Sequence, residues 1–247
     1  MSGDELTIDG LTSGWSIAQR VRGHRHSTDD LLTGWYAAES CPRARRLLDL
    51  GAGIGGVGLL ALWRAPADAT LVAIEAQEVS FELLVGNIAR NHLGSRVQAI
   101  HGDLRHMRLD AKFELITGSP PYWDISEGVL PADPQKAHAR FELRGDIRDY
   151  ARAARAHLAD GGRFVFCFPT VQRARAEAAI ADAQLAVIRS RDVIPRAGAA
   201  PLFSLFACRG VEESGADPVL EPPHLVRGDD GQPTAMHAAA RATFGMT

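Results

Sequence analysis

The stretch Leu47-Leu48-Asp49-Leu50-Gly51-Ala52-Gly53-Ile54-Gly55-Gly56-Val57-Gly58-Leu59-Leu60 decides the fold. An apolar strand runs into a glycine-rich turn, and an apolar helix opens behind it. Glycine is needed where the backbone takes positive φ or lies close to a ligand. The new helix points its unpaired N–H groups at whatever sits in the turn. This order predicts a nucleotide-type cofactor turn, with Asp49, Gly51, Gly53 and Gly55 as cofactor-binding residues.

Glycine spacing alone does not choose the cofactor, because Gly51, Gly53 and Gly56 also satisfy the dinucleotide pattern. A second apolar strand over 69–74 ends in Glu75, where a carboxylate can accept hydrogen bonds from both ribose hydroxyls. That suits NAD and S-adenosylmethionine (SAM) equally. A third strand over 97–100 leads to Asp103, an acceptor in position for an adenine amine, or a plain turn residue.

Ser119-Pro120-Pro121-Tyr122 separates the two cofactors. It follows an apolar run over 113–117, so it stands at the carboxyl end of a strand, where open α/β sheets bind ligands. Hydride transfer has no need of it. An exocyclic amine does, because its lone pair is delocalised into the ring and is a poor nucleophile. The Ser119 hydroxyl and Pro120 carbonyl can accept its two hydrogens. Consecutive prolines stiffen the turn. Tyr122 offers a face on which a base can stack. These four residues are the expected catalytic set. Trp123 is a candidate wall of the base pocket and Arg140 a candidate phosphate contact. The long polar stretch 123–149 is the expected substrate lid.

Together these motifs resemble the class I SAM-dependent methyltransferases that act on planar amines through an Asn/Asp/Ser-Pro-Pro-Tyr motif. Within that branch the chain looks most like the tRNA1(Val) adenine-37 N6-methyltransferases. The resemblance runs from Arg22-Gly23-His24-Arg25-His26-Ser27-Thr28-Asp29 through the glycine turn, Glu75, Asp103 and the Ser119 tetrapeptide to Ala139-Arg140-Phe141-Glu142. The first and last stretches are the family-specific ones. It implies a Rossmann-like seven-stranded sheet with helices on both faces, SAM as cofactor and N6 of a tRNA adenine as the methylated atom. In such enzymes the segment around Asp29 closes over the cofactor, which nominates Asp29 as a contact. Capping the following helix is the other reading of that residue. One departure is Ser119, where the tRNA family usually carries Asn and cytosine-N4 methyltransferases carry Ser.

The remaining sequence is consistent with one α/β domain spanning 1–247. Segment 1–45 would cover the cofactor or the substrate, 123–149 would form the substrate lid and 211–247 a polar tail ending in a short helix. Helices are expected over 29–39, 55–64, 77–92, 146–158 and 172–183, and two closing strands over 185–193 and 202–208, the last antiparallel. A charge of −3 is not that of a dedicated nucleic-acid binder. Arginines nonetheless gather at 20–46 and again at Arg140, Arg144, Arg148, Arg152 and Arg155, where helical spacing would align them on one face. Three scattered cysteines and nine scattered histidines suggest neither disulfides nor a metal site. No apolar run is long enough for a membrane helix and no targeting segment is visible, so the cytoplasm is expected. No apolar surface helix is left over, which makes a monomer the expectation. Methylation of a protein glutamine or a small-molecule amine is the rival activity, and a non-catalytic SAM-binding subunit the rival class.

Overall fold

Apolar runs alternating with helix-length segments build a layered α/β structure, as the sequence pattern requires. The computed structural model describes residues 5–213, 215 and 217–246. Strands are β1 Leu6–Gly10, β2 Ser16–Arg20, β3 Arg46–Leu50, β4 Thr70–Glu75, β5 Val97–His101, β6 Phe113–Gly118, β7 Leu158–Pro169, β8 Leu185–Ile194, β9 Phe203–Gly210 and β10 Val219–Leu225. Helices are α1 Thr28–Ser40, α2 Gly56–Arg64, α3 Glu78–Arg90, α4 Pro134–Arg140, α5 Ile147–His157, α6 Arg173–Asp182 and α7 Ala235–Ala242.

The main sheet runs β10-β8-β9-β7-β6-β3-β4-β5, with β9 antiparallel to both neighbours and the other pairings parallel. Strand order turns back between β3 and β6, since β4 and β5 lie on one side and β7 on the other. A crevice opens at such a switch point, beyond the carboxyl ends of the strands. Alternation along the strands feeds two cores. Leu47, Val165 and Cys167 face the layer containing α1, α2 and α3, while Leu48, Leu50, Phe164, Phe166 and Phe168 face α5 and α6.

Eight strands stand in this sheet rather than the seven expected. The extra one, β10, lies in the segment read as a polar tail. Pro222 and Pro223 argue against a strand in a sheet interior, but β10 is an edge strand whose ladder breaks between Glu221 and His224. An edge strand tolerates proline because one side of its backbone needs no partner. The lead-in is likewise a hairpin, β1 with β2. Asn87 on α3 holds it in place. Its side-chain amide accepts the Ala18 N–H at 2.7 Å and donates to the Ala18 carbonyl at 3.1 Å and the Ile54 carbonyl at 2.9 Å. The amide thus stands in for a neighbouring strand and fixes the chain that leads into residues 23–30.

Within the lid stretch, α4 is an unexpected helix. Asp133 caps it by accepting the Lys136 N–H at 2.9 Å, and Pro134 begins it. Buried Gln135 donates to Ser80 Oγ at 3.1 Å, and Gln77 donates to the Pro134 carbonyl at 3.0 Å. The start of α4 is therefore bolted to the start of α3. Gly145, at φ +107°, breaks the chain between α4 and α5, and Asp146 then caps α5. The arginine row expected along one helix face is interrupted there. Only Arg148, Arg152 and Arg155 ride on α5, where they meet Asp146, Asp149 and Glu212.

Candidate active site

One cavity of about 910 Å³ occupies the crevice. The glycine turn, Glu75, Asp103, the segment 23–30, Ser119 to Trp123 and part of α4 all line it. The sequence nominees Asp29, Asp49, Gly51, Gly53, Glu75, Asp103, Ser119, Pro120, Pro121, Tyr122, Trp123 and Arg140 are thereby brought together. Gly55 stands just behind, at φ +98°, as the residue before α2.

The turn is built by its neighbours. Ala52 N–H donates to the Ile74 carbonyl at 2.8 Å, and Gly53 N–H donates to Glu75 Oε2 at 2.8 Å. The other Glu75 oxygen accepts the Gln77 N–H at 2.6 Å. Burial pushes the Glu75 carboxyl upward, and these N–H groups with the Arg144 charge oppose the shift. A carboxylate oxygen with one such bond can still accept another, and Glu75 lines the cavity. A Cβ on Gly53 would meet nothing within 4 Å, so the backbone there faces open space. An S-adenosyl group fits this set, with a carboxylate for ribose hydroxyls, a bare glycine backbone and the N-terminus of α2 beside them.

Asp49 carries a structural task besides lining the cavity. Its two oxygens accept the Gly58 N–H at 3.0 Å and the Thr117 hydroxyl at 2.7 Å. It ties β3, α2 and β6 together at the switch point. Burial pushes its carboxyl up to about 7, against the pull of those two donors. Between pH ~4 and ~7 the folded protein thus holds a proton that the unfolded chain has released. That stabilising contribution is complete below pH ~4 and is lost as pH rises through about 7. Its full size is roughly 4 kcal/mol. Asp49→Asn is expected to flatten the fall in melting temperature between pH 5 and pH 8. The Thr117 hydroxyl can turn to accept from the new amide. Parallel melting profiles for wild type and variant would refute this assignment.

Asp103 is held by Arg105 in a two-pronged ion pair, with contacts of 2.6 to 3.1 Å, which keeps its carboxyl low. Asp29 accepts the Tyr122 hydroxyl at 3.0 Å. The N-cap of α1 is Ser27, and the capping box is completed by Asp30, whose carboxylate accepts the Ser27 N–H at 3.0 Å and lies 3.4 Å from His26 Nδ1.

The tetrapeptide sits at the end of β6 and is clamped from two sides. The Arg140 carbonyl accepts both the Tyr122 and Trp123 N–H groups, at 3.0 and 3.1 Å. Gln172 donates to the Tyr122 carbonyl at 2.7 Å. The Tyr122 ring meets Phe168 edge-on at 6.0 Å, and its hydroxyl also lies 3.3 Å from Cys167 Sγ. Arg175 holds the chain between α4 and α5 through Glu142 at 2.6 Å and Asp146 at 3.5 Å.

Sequence reading missed several residues here. Tyr150, on α5, passes beneath Gly51 and Gly118 and reaches the cavity. Lys136, His138 and Arg144 line the mouth. Lys136 was accessible to sequence reading, being one of two lysines in the chain and lying in the lid. Tyr150 gave no local signal. Among the described residues no group of three or more His, Cys, Asp or Glu could hold a metal, and no helix is long and apolar enough to cross a membrane.

Comparison with known proteins agrees with this geometry. The family model for the methyltransferase small domain matches residues 30–177. A Bacteroides thetaiotaomicron protein named tRNA1(Val) (adenine(37)-N6)-methyltransferase is 29% identical over 174 residues, covering 70% of this chain and 72% of that one. An Aeromonas hydrophila protein of the same name is 29% identical over 194 residues, covering 76% and 80%. Among solved structures, a protein from Agrobacterium tumefaciens described as a predicted O-methyltransferase superposes with TM-score 0.66 at 18% identity, over 89% of this chain and 98% of that one. P. horikoshii TYW2, solved in complex with MeSAdo, gives 0.59 at 15% identity, over 85% and 72%. With the glycine turn, the acid at the end of β4 and the tetrapeptide at the end of β6 facing one cavity, the chain belongs to the methyltransferase small domain family and is a class I SAM-dependent methyltransferase.

Proposed function

We propose that this enzyme methylates the exocyclic amine of a nucleobase, N6 of an adenine in tRNA of the anticodon-loop position-37 type. The observation that carries the reading is that Ser119-Pro120-Pro121-Tyr122 and the Gly53–Glu75 pair open on the same cavity. The relatives named for tRNA adenine-37 support it. So does the mouth, where Lys136 and Arg140 meet no carboxylate among the described residues and are free for phosphates. A peptide glutamine would offer the same amide hydrogens, but this cationic rim suits a polyanion better.

Glu75, Gly51 and Gly53 would hold the cofactor, which when bound supplies an electrophilic methyl group on a sulfonium. Ser119 and the Pro120 carbonyl accept the two amine hydrogens, so that nitrogen lone-pair density turns out of the ring. Tyr122 stacks on the base and, with the lid, excludes water from its face. The added positive charge on nitrogen strengthens both hydrogen bonds at the moment of transfer. Alignment of this kind is worth roughly 7–11 kcal/mol, so the site needs no strong base. The excess proton leaves the methylated nitrogen for water. The base reaches the site only unstacked, which is cheapest from a loop.

The test is transfer of labelled methyl from SAM into unmodified tRNA transcripts. Label in RNA, digested to N6-methyladenosine and reduced about 100-fold in kcat by Ser119→Ala with SAM affinity unchanged, is expected. Label found only on glutamine peptides would overturn the substrate assignment.

A further inference from the structure

A serine is an ambiguous choice for an amine site. Its hydroxyl accepts through lone pairs and also donates its own hydrogen. An amine whose hydrogens must be accepted needs only the first property. If Ser119 aimed its hydrogen at the substrate nitrogen, it would engage the very lone pair that must attack the methyl group. Something must turn that hydrogen away.

Cys167 lies behind Ser119, with Sγ 3.4 Å from the serine Oγ. The same sulfur is 3.3 Å from the Tyr122 hydroxyl, which in turn is 3.0 Å from Asp29 Oδ2. These four groups come from the loop after β6, from β7 and from α1. The direction of the chain follows from its far end. Asp29 is surrounded by donors, namely the Ser27 hydroxyl, the Asp30 N–H at 3.2 Å and the Tyr122 hydroxyl. A carboxylate only accepts, so Tyr122 spends its one hydrogen there. The tyrosine oxygen is left as an acceptor facing a thiol. Cys167 is fully buried, and burial with the nearby Asp29 charge pushes its thiol up to about 12, despite the hydroxyls of Ser119, Thr33 and Tyr122 around it. The buried Thr33 hydroxyl, which has no other partner among the described residues, can donate to the same sulfur, so the thiol keeps its own hydrogen for Tyr122 and receives that of Ser119 on sulfur.

We propose that Cys167 and Asp29 are positioning residues, which through the one-way chain Ser119 to Cys167 to Tyr122 to Asp29 hold both lone pairs of the Ser119 oxygen toward the substrate amine. The inference rests on the amine reading given above. It makes Cys167 a determinant of the reaction without contact to substrate, and gives Asp29 a task beyond lining the cavity. No hydrogen is transferred along the chain. Each stays on its own heavy atom, and only its direction is fixed.

Two measurements test it. The first needs no substrate. The infrared S–H stretch of Cys167 is isolated in each background as the difference against the same protein carrying Cys167→Ser. The band is expected to move to higher frequency in Tyr122→Phe, which removes its acceptor, and to shift far less in Ser119→Ala. A band that moves in Ser119→Ala and stays put in Tyr122→Phe reverses the chain and overturns the proposal. The second is steady-state methylation of tRNA. Cys167→Ala should lower kcat about tenfold with KM for tRNA and SAM affinity unchanged, the size of one hydrogen bond. Cys167→Ser, which both donates and accepts, should recover to within about twofold of wild type. A purely packing role predicts the opposite order, because a buried hydroxyl costs more than a methyl. Equal rates for the two variants, or a better alanine variant, would overturn the proposal. Wild type that fails to methylate tRNA would sink the substrate reading instead, and the infrared arm would still decide the chain.

Discussion

Tyr122→Ala lowers kcat on tRNA by about 30- to 10³-fold and leaves SAM affinity within about twofold of wild type. Two losses combine. Stacking of a base on an aromatic face is worth roughly 1–3 kcal/mol. The hydroxyl is worth about 1 kcal/mol more, since it closes the bond to Asp29 at 3.0 Å. Protein stability suffers less than for a core aromatic. The ring is only partly buried and lines the cavity, while the backbone at 122 stays clamped by Arg140 and Gln172. The cofactor side is spared because Glu75 is held by Gly53 and Gln77, neither of which Tyr122 touches. Tyr122→Phe keeps the face and loses the hydroxyl, so its rate should fall between the two. Steady-state kinetics with calorimetric SAM titration reads all of this. Unaltered methylation kinetics in the alanine variant would remove Tyr122 from the site.

What the sequence revealed and what it hid divide along sequence separation. The glycine turn, the acid after β4 and the Ser-Pro-Pro-Tyr corner are each written in a few adjacent residues, with local rules for strand end, positive φ and helix start. Helix and strand positions from β3 to β9, α4 apart, follow for the same reason. The links that turn these pieces into a site join distant residues. Ser119 meets Cys167 48 positions away, Tyr122 meets Asp29 93 positions away, and Gln135 meets Ser80 55 positions away. No periodicity encodes such pairs. Asp29 illustrates the boundary well. Its placement at the cavity was implied by the resemblance, but its bond to Tyr122 was not, and the capping task falls to the box formed by Ser27 and Asp30. The arginine row failed differently. The helix expected over 146–158 is present as α5, but Gly145 at φ +107° separates it from α4, so Arg140 and Arg144 do not share its face with Arg148, Arg152 and Arg155. The Pro222-Pro223 pair hid β10 because the proline rule speaks of sheet interiors, and edge status is known only once the sheet exists.

Gly51→Ala should be the most damaging single methyl group that can be added to this chain's cofactor turn. Two costs fall on the same atom. Gly51 takes φ +62°, a left-handed conformation that costs a residue with Cβ roughly 1–2 kcal/mol. A Cβ built there would also lie 2.0 Å from the Tyr150 hydroxyl and 3.0 Å from the ring carbon bearing it. Tyr150 cannot retreat easily, because its ring also packs against Gly118, where a Cβ would meet it at 3.0 Å. Either β3 moves away from β6 or α5 moves out, and both displace Glu75 and the turn from their present register. The variant is expected to melt several degrees lower and to bind SAM at least 10-fold more weakly, with methylation falling further. Two comparisons separate the costs. Gly53→Ala carries the backbone cost alone, at φ +57° with nothing within 4 Å of its Cβ, and should lose only about 1 kcal/mol of stability. Gly51→Ala combined with Tyr150→Phe removes the hydroxyl that a Cβ would strike and should regain part of the lost melting temperature. If Gly51→Ala melts and binds SAM like Gly53→Ala, the packing of Tyr150 beneath the turn plays no part in holding it. If the double variant regains stability but not SAM affinity, the Tyr150 hydroxyl itself serves the cavity it faces.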